Sequence, residues 1–145
     1  MRDGPFGSIA LAFFVKVRVM SKTILIQDPD VVISLDLAQT VMETWPDARV
    51  ILCRDVPQIL AVLTEGQHPD LVIMRQSWRS AESFGLTSLL AQSPTKVVLT
   101  GADEDDRADV ATLGWHELEM PFLAPQIRTA LHSVWSEVAP DVESL

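Results

Sequence analysis

"PDLVIMRQSW", residues 69–78, is a short apolar run with a chain break before it and a charge directly after it. Pro69 and Asp70 end the preceding segment, and the four residues 71–74 are all apolar. A strand that is apolar at every position is typical of a parallel sheet covered by helices on both faces. The run ends on Arg75, and a charge at the end of a buried strand suggests a defined contact.

The same pattern recurs on both sides of this stretch. Three further short, largely apolar runs are predicted strands, 23–27, 49–53 and 96–100, and the short mixed stretch 115–119 is the predicted fifth strand. Between and after the strands lie segments with helical spacing or helix signals: 28–45, 55–66, 83–92, 103–114 and 124–138. Asp30 and Asp55 are predicted N-caps. Strand–helix–strand connections of this length are right-handed and join parallel strands, so the order predicts an open α/β fold with a five-stranded parallel sheet.

The boundaries of this domain are predicted at residues 20–138, with 139–145 as a C-terminal tail. Residues 1–19 are predicted to be an N-terminal extension upstream of a natural start at Met20. Two alternatives stay open for them: an extra strand or helix packed on the domain, or a targeting segment. The apolar run at 9–15 is too short to span a bilayer, so no membrane association is expected.

Charge and cysteine content exclude several classes of protein. The chain of 145 residues carries 20 acidic and 11 basic side chains, a net charge of −9. A nucleic-acid binder needs clustered Lys and Arg, so no nucleic-acid partner is expected. The single cysteine, Cys53, cannot form an internal disulfide and is predicted to be buried. Nothing favours an oxidising compartment, which is consistent with a cytoplasmic protein.

The carboxyl ends of the strands are where an open parallel sheet places its ligands. The residues that follow the strands, and therefore form the predicted pocket, are Asp28, Asp30, Arg75, Thr100 and Met120. In order along the chain, "ILIQDPD", "PDLVIM", "VVLTG" and "GWHELEMPF" with an apolar last helix resemble the receiver domain of bacterial response regulators. The resemblance covers about residues 22–136 and implies a flavodoxin-like, three-layer sandwich.

Receiver domains accept a phosphoryl group on an aspartate, and the resemblance implies a role for each pocket position. Asp28 matches the first of two Mg²⁺-binding acids and Thr100 matches the hydroxyl residue, but Pro29 stands where the second acid is expected. Met120 stands before Pro121, where the resembled family has a lysine, and Arg75 stands where the family has the acceptor aspartate. The family chemistry is therefore not expected, and the chain resembles a pseudo-receiver with no cofactor and no bound metal.

Three interpretations of Arg75 remain open. It pairs with Asp28 as a permanent counter-charge, it leans into solvent at the pocket rim, or it binds an anionic ligand. The three histidines share no metal-ligand spacing.

The functional prediction is a stand-alone signalling adaptor, not an enzyme, that works by binding proteins. The resemblance implies a histidine kinase, a phosphotransfer protein or another regulator as the partner, and self-association as a homodimer. The binding face implied is formed by the segments 103–119 and 124–138. The residues predicted to contribute are Asp103, Asp105, Asp106, Trp115 and Phe122. Two alternatives stay open: the acidic run 103–106 is a solvated helix start, favoured by the helix macrodipole, and Trp115 lies at the edge of the core. The alternatives are a small-molecule or anion sensor on the same fold, or a receiver that uses another acceptor.

Overall fold

The sheet is five-stranded, parallel throughout, and ordered β2-β1-β3-β4-β5. The computed structural model describes residues 22–119 and 122–136, and the side chains of 135 and 136 are not described. The predicted extension 1–19, the start at Met20 and the tail 139–145 lie outside the described residues. The strands are β1 Thr23–Gln27, β2 Arg49–Cys53, β3 Leu71–Met74, β4 Lys96–Leu99 and β5 His116–Glu117.

Helices connect the strands in the predicted alternation. They are α1 Val31–Thr44, α2 Val56–Thr64, α3 Trp78–Ser83, α4 Leu86–Ala91, α5 Arg107–Thr112, which follows a 3₁₀ turn at Glu104–Asp106, and α6 Ala124–Ser136. The predicted N-caps are confirmed, because the Asp30 side chain accepts from the N–H groups of Val32 and Ile33, and Asp55 accepts from that of Gln58. No helix within the described ranges has the length and apolarity to cross a bilayer.

Two elements differ from the prediction. The segment 83–92 was predicted as one helix, but the chain forms α3 and α4 with Gly85 between them at φ +79°. Helix α3 was missed, although Ser77 caps it by accepting from the N–H of Ser80. The fifth strand pairs only at His116 and Glu117, shorter than the predicted 115–119.

The core has two halves, one on each face of the sheet. Successive strand residues point to opposite faces, so Leu25 and Val72 pack with α2, α4 and α5, whereas Ile24 and Ile73 pack with α1 and α6. All of these side chains are buried. The prediction that helices cover both faces is therefore confirmed. Cys53 is buried as predicted, and burial, together with nearby Asp55, raises the pKa of its thiol.

Gly101, two residues after the end of β4, lies against the backbone of Gln76, two residues after the end of β3. A Cβ at this position would be 3.2 Å from the backbone N, C and O atoms of Gln76. We expect Gly101→Ala to lower the free energy of unfolding by about 1–2 kcal/mol, because backbone cannot yield as a flexible side chain does. Urea unfolding measures this change. Ala108→Ser, at an exposed helical position, is the control and should change it by less than about 0.5 kcal/mol; an equal loss in both variants would contradict the steric explanation.

Candidate functional site

Three of the predicted pocket residues, Asp28, Arg75 and Thr100, directly follow the ends of β1, β3 and β4. Backbone hydrogen bonds continue past the strands, from the N–H of Arg75 to the carbonyl of Gln27 and from the N–H of Thr100 to the carbonyl of Met74. Gln27 and Met74 are register partners on adjacent strands. The next residues, Asp28 and Arg75, are therefore held side by side by the sheet itself.

Asp28 is the most deeply buried charged residue of this edge. Its side chain is 1% exposed. One oxygen, Oδ1, accepts from the N–H of Asp30 at 2.7 Å and from Nη1 of Arg75 at 3.4 Å. The other, Oδ2, is buried with no hydrogen-bond partner. A buried carboxylate needs compensation, and here the Arg75 guanidinium supplies the positive charge.

Arg75 combines two of the three interpretations offered by the sequence. It contacts Asp28, as predicted, but the contact is long, and 39% of its side chain is exposed at the rim of the pocket. A half-exposed guanidinium at 3.4 Å contributes less than a fully buried, bidentate pair. The contact therefore neutralises Asp28 without sealing the pocket from solvent.

The remaining pocket positions take different roles. Asp30 uses Oδ1 to cap α1, bonding the N–H of Val32 at 2.9 Å, so this oxygen is directed at the helix. Thr100 is 4% exposed and lines the same cleft as Arg75. Met120 lies outside the described residues, and its predicted place in the pocket stays a prediction.

A partly buried chain of side-chain hydrogen bonds, which the sequence did not predict, supports this edge of the sheet. Nε2 of Gln27 donates to the carbonyl of Arg54, and its Oε1 accepts from Nε2 of Gln76, each at 3.0 Å. Oε1 of Gln76 accepts in turn from the hydroxyl of Ser80. Gln27 is 3% exposed. The chain links β1, β2 and α3 and fixes the backbone on both sides of the Asp28–Arg75 contact.

Beside Arg75 lies a cleft of about 440 Å³ between the ends of β4 and β5. Its lining includes Arg75 and Arg107 together with four carboxylates: Asp103, Glu104, Glu117 and Glu119. Arg107 bridges two of them, with Nε 2.9 Å from Glu117 and Nη2 2.9 Å from Glu119. The sequence did not predict these two ion pairs, because Arg107 lies on a different element from Glu117 and Glu119 and no sequence motif relates the three residues. The ion pairs tie α5 to the end of β5.

The predicted interaction surface is only partly exposed. Asp103 and Asp105 are exposed, but Oδ2 of Asp106 accepts from the N–H groups of Asp103 and Trp78, so Asp106 holds the turn in place. Trp115 corrects the prediction: it is 7% exposed and packs against Trp78 with ring centroids 5.5 Å apart. A large indole at the start of a short strand gains more from the core than from solvent.

Phe122 is half-buried. It packs on the core face shared by α1 and α6 and lines the groove between these helices.

The residues of the pocket do not fit a magnesium ion. Mg²⁺ requires several oxygen ligands in octahedral geometry, whereas this edge offers one aligned carboxylate, a proline at the next position and a guanidinium 3.4 Å from Asp28. Within residues 22–119 and 122–136, no three His, Cys, Asp or Glu side chains come together as a metal site.

Comparison with solved structures identifies the fold. The signal receiver domain of a putative Luxo repressor protein from Vibrio parahaemolyticus aligns with a TM-score of 0.67 at 14% identity, covering 86% of this chain and 97% of that one. A response regulator from Thermotoga maritima aligns at 0.63 and 17% identity, covering 80% and 98%. A chemotaxis response regulator of Vibrio cholerae aligns at 0.61 and 15% identity, covering 79% and 98%.

These alignments confirm the predicted flavodoxin-like receiver fold, and at such identities they carry the fold alone. Neither the protein-family models nor the curated proteins gave a match.

Proposed function

We propose that this chain is a pseudo-receiver: an adaptor in two-component-type signalling that works by binding proteins and is not phosphorylated on aspartate. The observation that carries the proposal is Arg75 at the end of β3, in contact with Asp28. In the resembled family this position holds the acceptor carboxylate. The fold is kept while the residue that performs the chemistry is replaced.

The chemistry supports the proposal. Phosphoryl transfer spreads negative charge over the transferred oxygens and requires a nucleophile with metal ions or cations beside it. A guanidinium has no acceptor lone pair and stays protonated, so Arg75 cannot form an acyl phosphate. Its charge also repels a divalent cation at the same place. We therefore propose that the protein is not an enzyme and that its site is a fixed structural element.

A different acceptor is disfavoured by burial and contacts. Asp28 is the nearest carboxylate, but its side chain is 1% exposed and engaged by Arg75. Asp30 is exposed but caps α1. A phosphodonor would need to reach Asp28 past the guanidinium, and the transferred group would lack the metal that shares its charge.

The alternative function, an anion or small-molecule sensor, is disfavoured by the charge of the cleft. Two arginines line it against four carboxylates, and Arg107 is already engaged by Glu117 and Glu119. The surplus of negative charge opposes an anionic ligand. Protein binding is the function that the surface supports better.

We propose a protein partner, namely a kinase, a phosphotransfer protein or another regulator, that binds near the exposed acidic residues Asp103 and Asp105 in the cytoplasm. Because Arg75 supplies its charge in every copy of the protein, the binding face is competent at all times. Regulation then comes from the abundance of the chain or of its partner, since a population shift needs a ligand that distinguishes two states.

Charge reversal at Asp105 tests the binding face. Asp105 is exposed and, unlike Asp106, accepts none of the hydrogen bonds that hold the turn. We expect Asp105→Lys to weaken partner binding about tenfold, mainly by slowing association, with a stronger effect at low salt. Surface plasmon resonance with the candidate kinase or phosphotransfer protein measures both rates.

The matched control is Asp47→Lys, an exposed aspartate in the turn between α1 and β2 at the opposite end of the sheet. It should leave both rates unchanged. If the two variants weakened partner binding equally, the effect would come from the long-range charge of the protein, and the binding face would have to lie elsewhere. The affinity for the partner should also be the same before and after treatment of the chain with active kinase and ATP. A rise in affinity would contradict the proposal that the adaptor works without phosphorylation.

A further inference from the structure

The outer edge of β2 is open among the described strands. Of the strands that the structure describes, β2 is the last on its side of the sheet, and β1 is the only one of them with which it pairs. The N–H of Arg49 donates to the carbonyl of Lys22 at 2.7 Å, and the carbonyl of Cys53 accepts from the N–H of Asp28 at 3.2 Å. Residues alternate along a strand, so the N–H and C=O groups of Val50 and Leu52 point away from β1, toward the open edge.

An apolar flank borders this open edge. Val31, Leu35 and Met42 lie on one side of α1, at spacings of four and seven residues, and are 51%, 54% and 47% exposed. The opposite flank of α1 faces α6, where Ile33 and Thr40 line the shared groove. Because α1 also contacts β1 and β2, the exposed flank lies on the side of the sheet edge.

Leu52 extends the apolar flank onto the edge strand. It is 46% exposed, and it shares a face with Val50, which packs in the α1 and α6 half of the core. Open backbone groups next to exposed apolar side chains are what an added strand would cover.

The chain carries a segment with the matching pattern. Residues 15–19 read Val-Lys-Val-Arg-Val, with valine at every second position. We propose that residues 15–19 pair with the outer edge of β2 as a sixth strand. Its three valines would then lie on the α1 side and cover the apolar flank together with Leu52, while Lys16 and Arg18 would lie on the other face.

Chain direction and reach agree with this arrangement. The segment leads into Lys22, whose carbonyl already bonds Arg49 at the start of β2. Residues earlier than 19 would therefore run toward the end of β2, antiparallel to it, which is an arrangement common at the edges of otherwise parallel sheets. Crossing from β1 to the position outside β2 requires about 9.5 Å, and the three steps from Val19 to Lys22 reach about 10–11 Å.

A tethered segment is preferred over a second copy of the chain as the occupant. The short connection to β1 gives residues 15–19 an effective concentration on the order of millimolar. A second copy is present only at the working concentration of the protein, so it would have to bind the edge more tightly to compete with the tethered segment. The alternation of valine with Lys and Arg also suits a strand with one covered face.

Hydrogen exchange of the full chain, residues 1–145, tests the proposal. The amides of Val50 and Leu52 should be protected, and Val17→Asp should speed their exchange by about 100-fold, because the carboxylate would face the apolar flank. The amide of Ile51, which faces β1, should stay slow in both proteins and reports that the sheet is intact. Arg18→Asp, on the opposite face of the segment, is the matched control and should leave all three amides unchanged.

Three outcomes would overturn the proposal: fast exchange at Val50 and Leu52 in the full chain, protection that Val17→Asp does not change, or protection that grows with protein concentration. The last would assign the edge to a second copy. None of these outcomes bears on Arg75, so this proposal and the proposed function fail independently.

Discussion

Replacing Arg75 with alanine is expected to lower the free energy of unfolding by about 2 kcal/mol, because it leaves the buried carboxylate of Asp28 without a positive charge. Loss of one partner from a fully buried ion pair costs about 3–5 kcal/mol. The smaller value follows from the 3.4 Å contact and from the 39% exposure of the Arg75 side chain, which lets water compensate part of the lost charge. Urea unfolding at neutral pH measures the change.

A double-mutant cycle shows whether this cost comes from the Asp28–Arg75 contact. Asp28→Asn removes the other charge while its side-chain oxygen can still accept from the N–H of Asp30. The double variant should lose about 1 kcal/mol less than the sum of the single variants. Arg79→Ala, at an exposed arginine four residues away, should change stability by less than about 0.5 kcal/mol. Additive losses at positions 28 and 75 would mean that Arg75 is merely a rim residue packed by its stem.

Replacing Arg75 with aspartate is expected to create a response to Mg²⁺ that we do not expect of the native chain. The introduced carboxylate would lie beside Asp28 at the ends of adjacent strands, so the two acids would repel each other and lower stability without metal. Mg²⁺ would relieve the repulsion. We expect a dissociation constant on the order of millimolar, because Pro29 stands where a further acidic ligand would be needed for tighter binding. At ten times that constant, Mg²⁺ should raise the free energy of unfolding by about 1.4 kcal/mol.

Thermal and urea unfolding with and without Mg²⁺ measure this gain. Arg79→Asp makes the same charge change at an exposed position four residues along the chain and should show no Mg²⁺ response beyond ionic strength. A saturable response of the native chain with a sub-millimolar midpoint would contradict the account of the pocket. No response in the Arg75→Asp variant would show that the free oxygen of Asp28 is not directed toward the strand β3 side.

Most of the sheet could be predicted from the sequence because β1 to β4 lie in short, largely apolar runs with a distinct beginning and end. Helix α3 could not, because its six residues include Arg79 and Glu82 with little apolar periodicity, and its only local signal is the cap at Ser77. The short length of β5 could not be predicted either. The number of its residues that pair is set by contacts with β4, and such tertiary contacts outweigh local strand propensity.

The Asp28–Arg75 contact could be predicted because parallel strands that are neighbours bring their carboxyl ends together. Its length could not, since the rotamer of a long side chain depends on packing and solvent that a sequence pattern does not encode. For the same reason, the ion pairs of Arg107 with Glu117 and Glu119 could not be predicted. Trp115 was misplaced because an aromatic residue near a sheet edge suits a surface or a core equally well until its neighbour, Trp78, is known.

With Arg75 at the end of β3, we expect this chain not to accept a phosphoryl group. Intact-mass spectrometry after incubation with acetyl phosphate and Mg²⁺ tests it most directly, with a response regulator that keeps its acceptor aspartate as the positive control. We predict an unchanged mass for the native chain under conditions that modify the control. A covalent phosphoryl gain on this chain that Asp28→Asn abolishes would contradict the account and make the protein an ordinary receiver with a displaced acceptor.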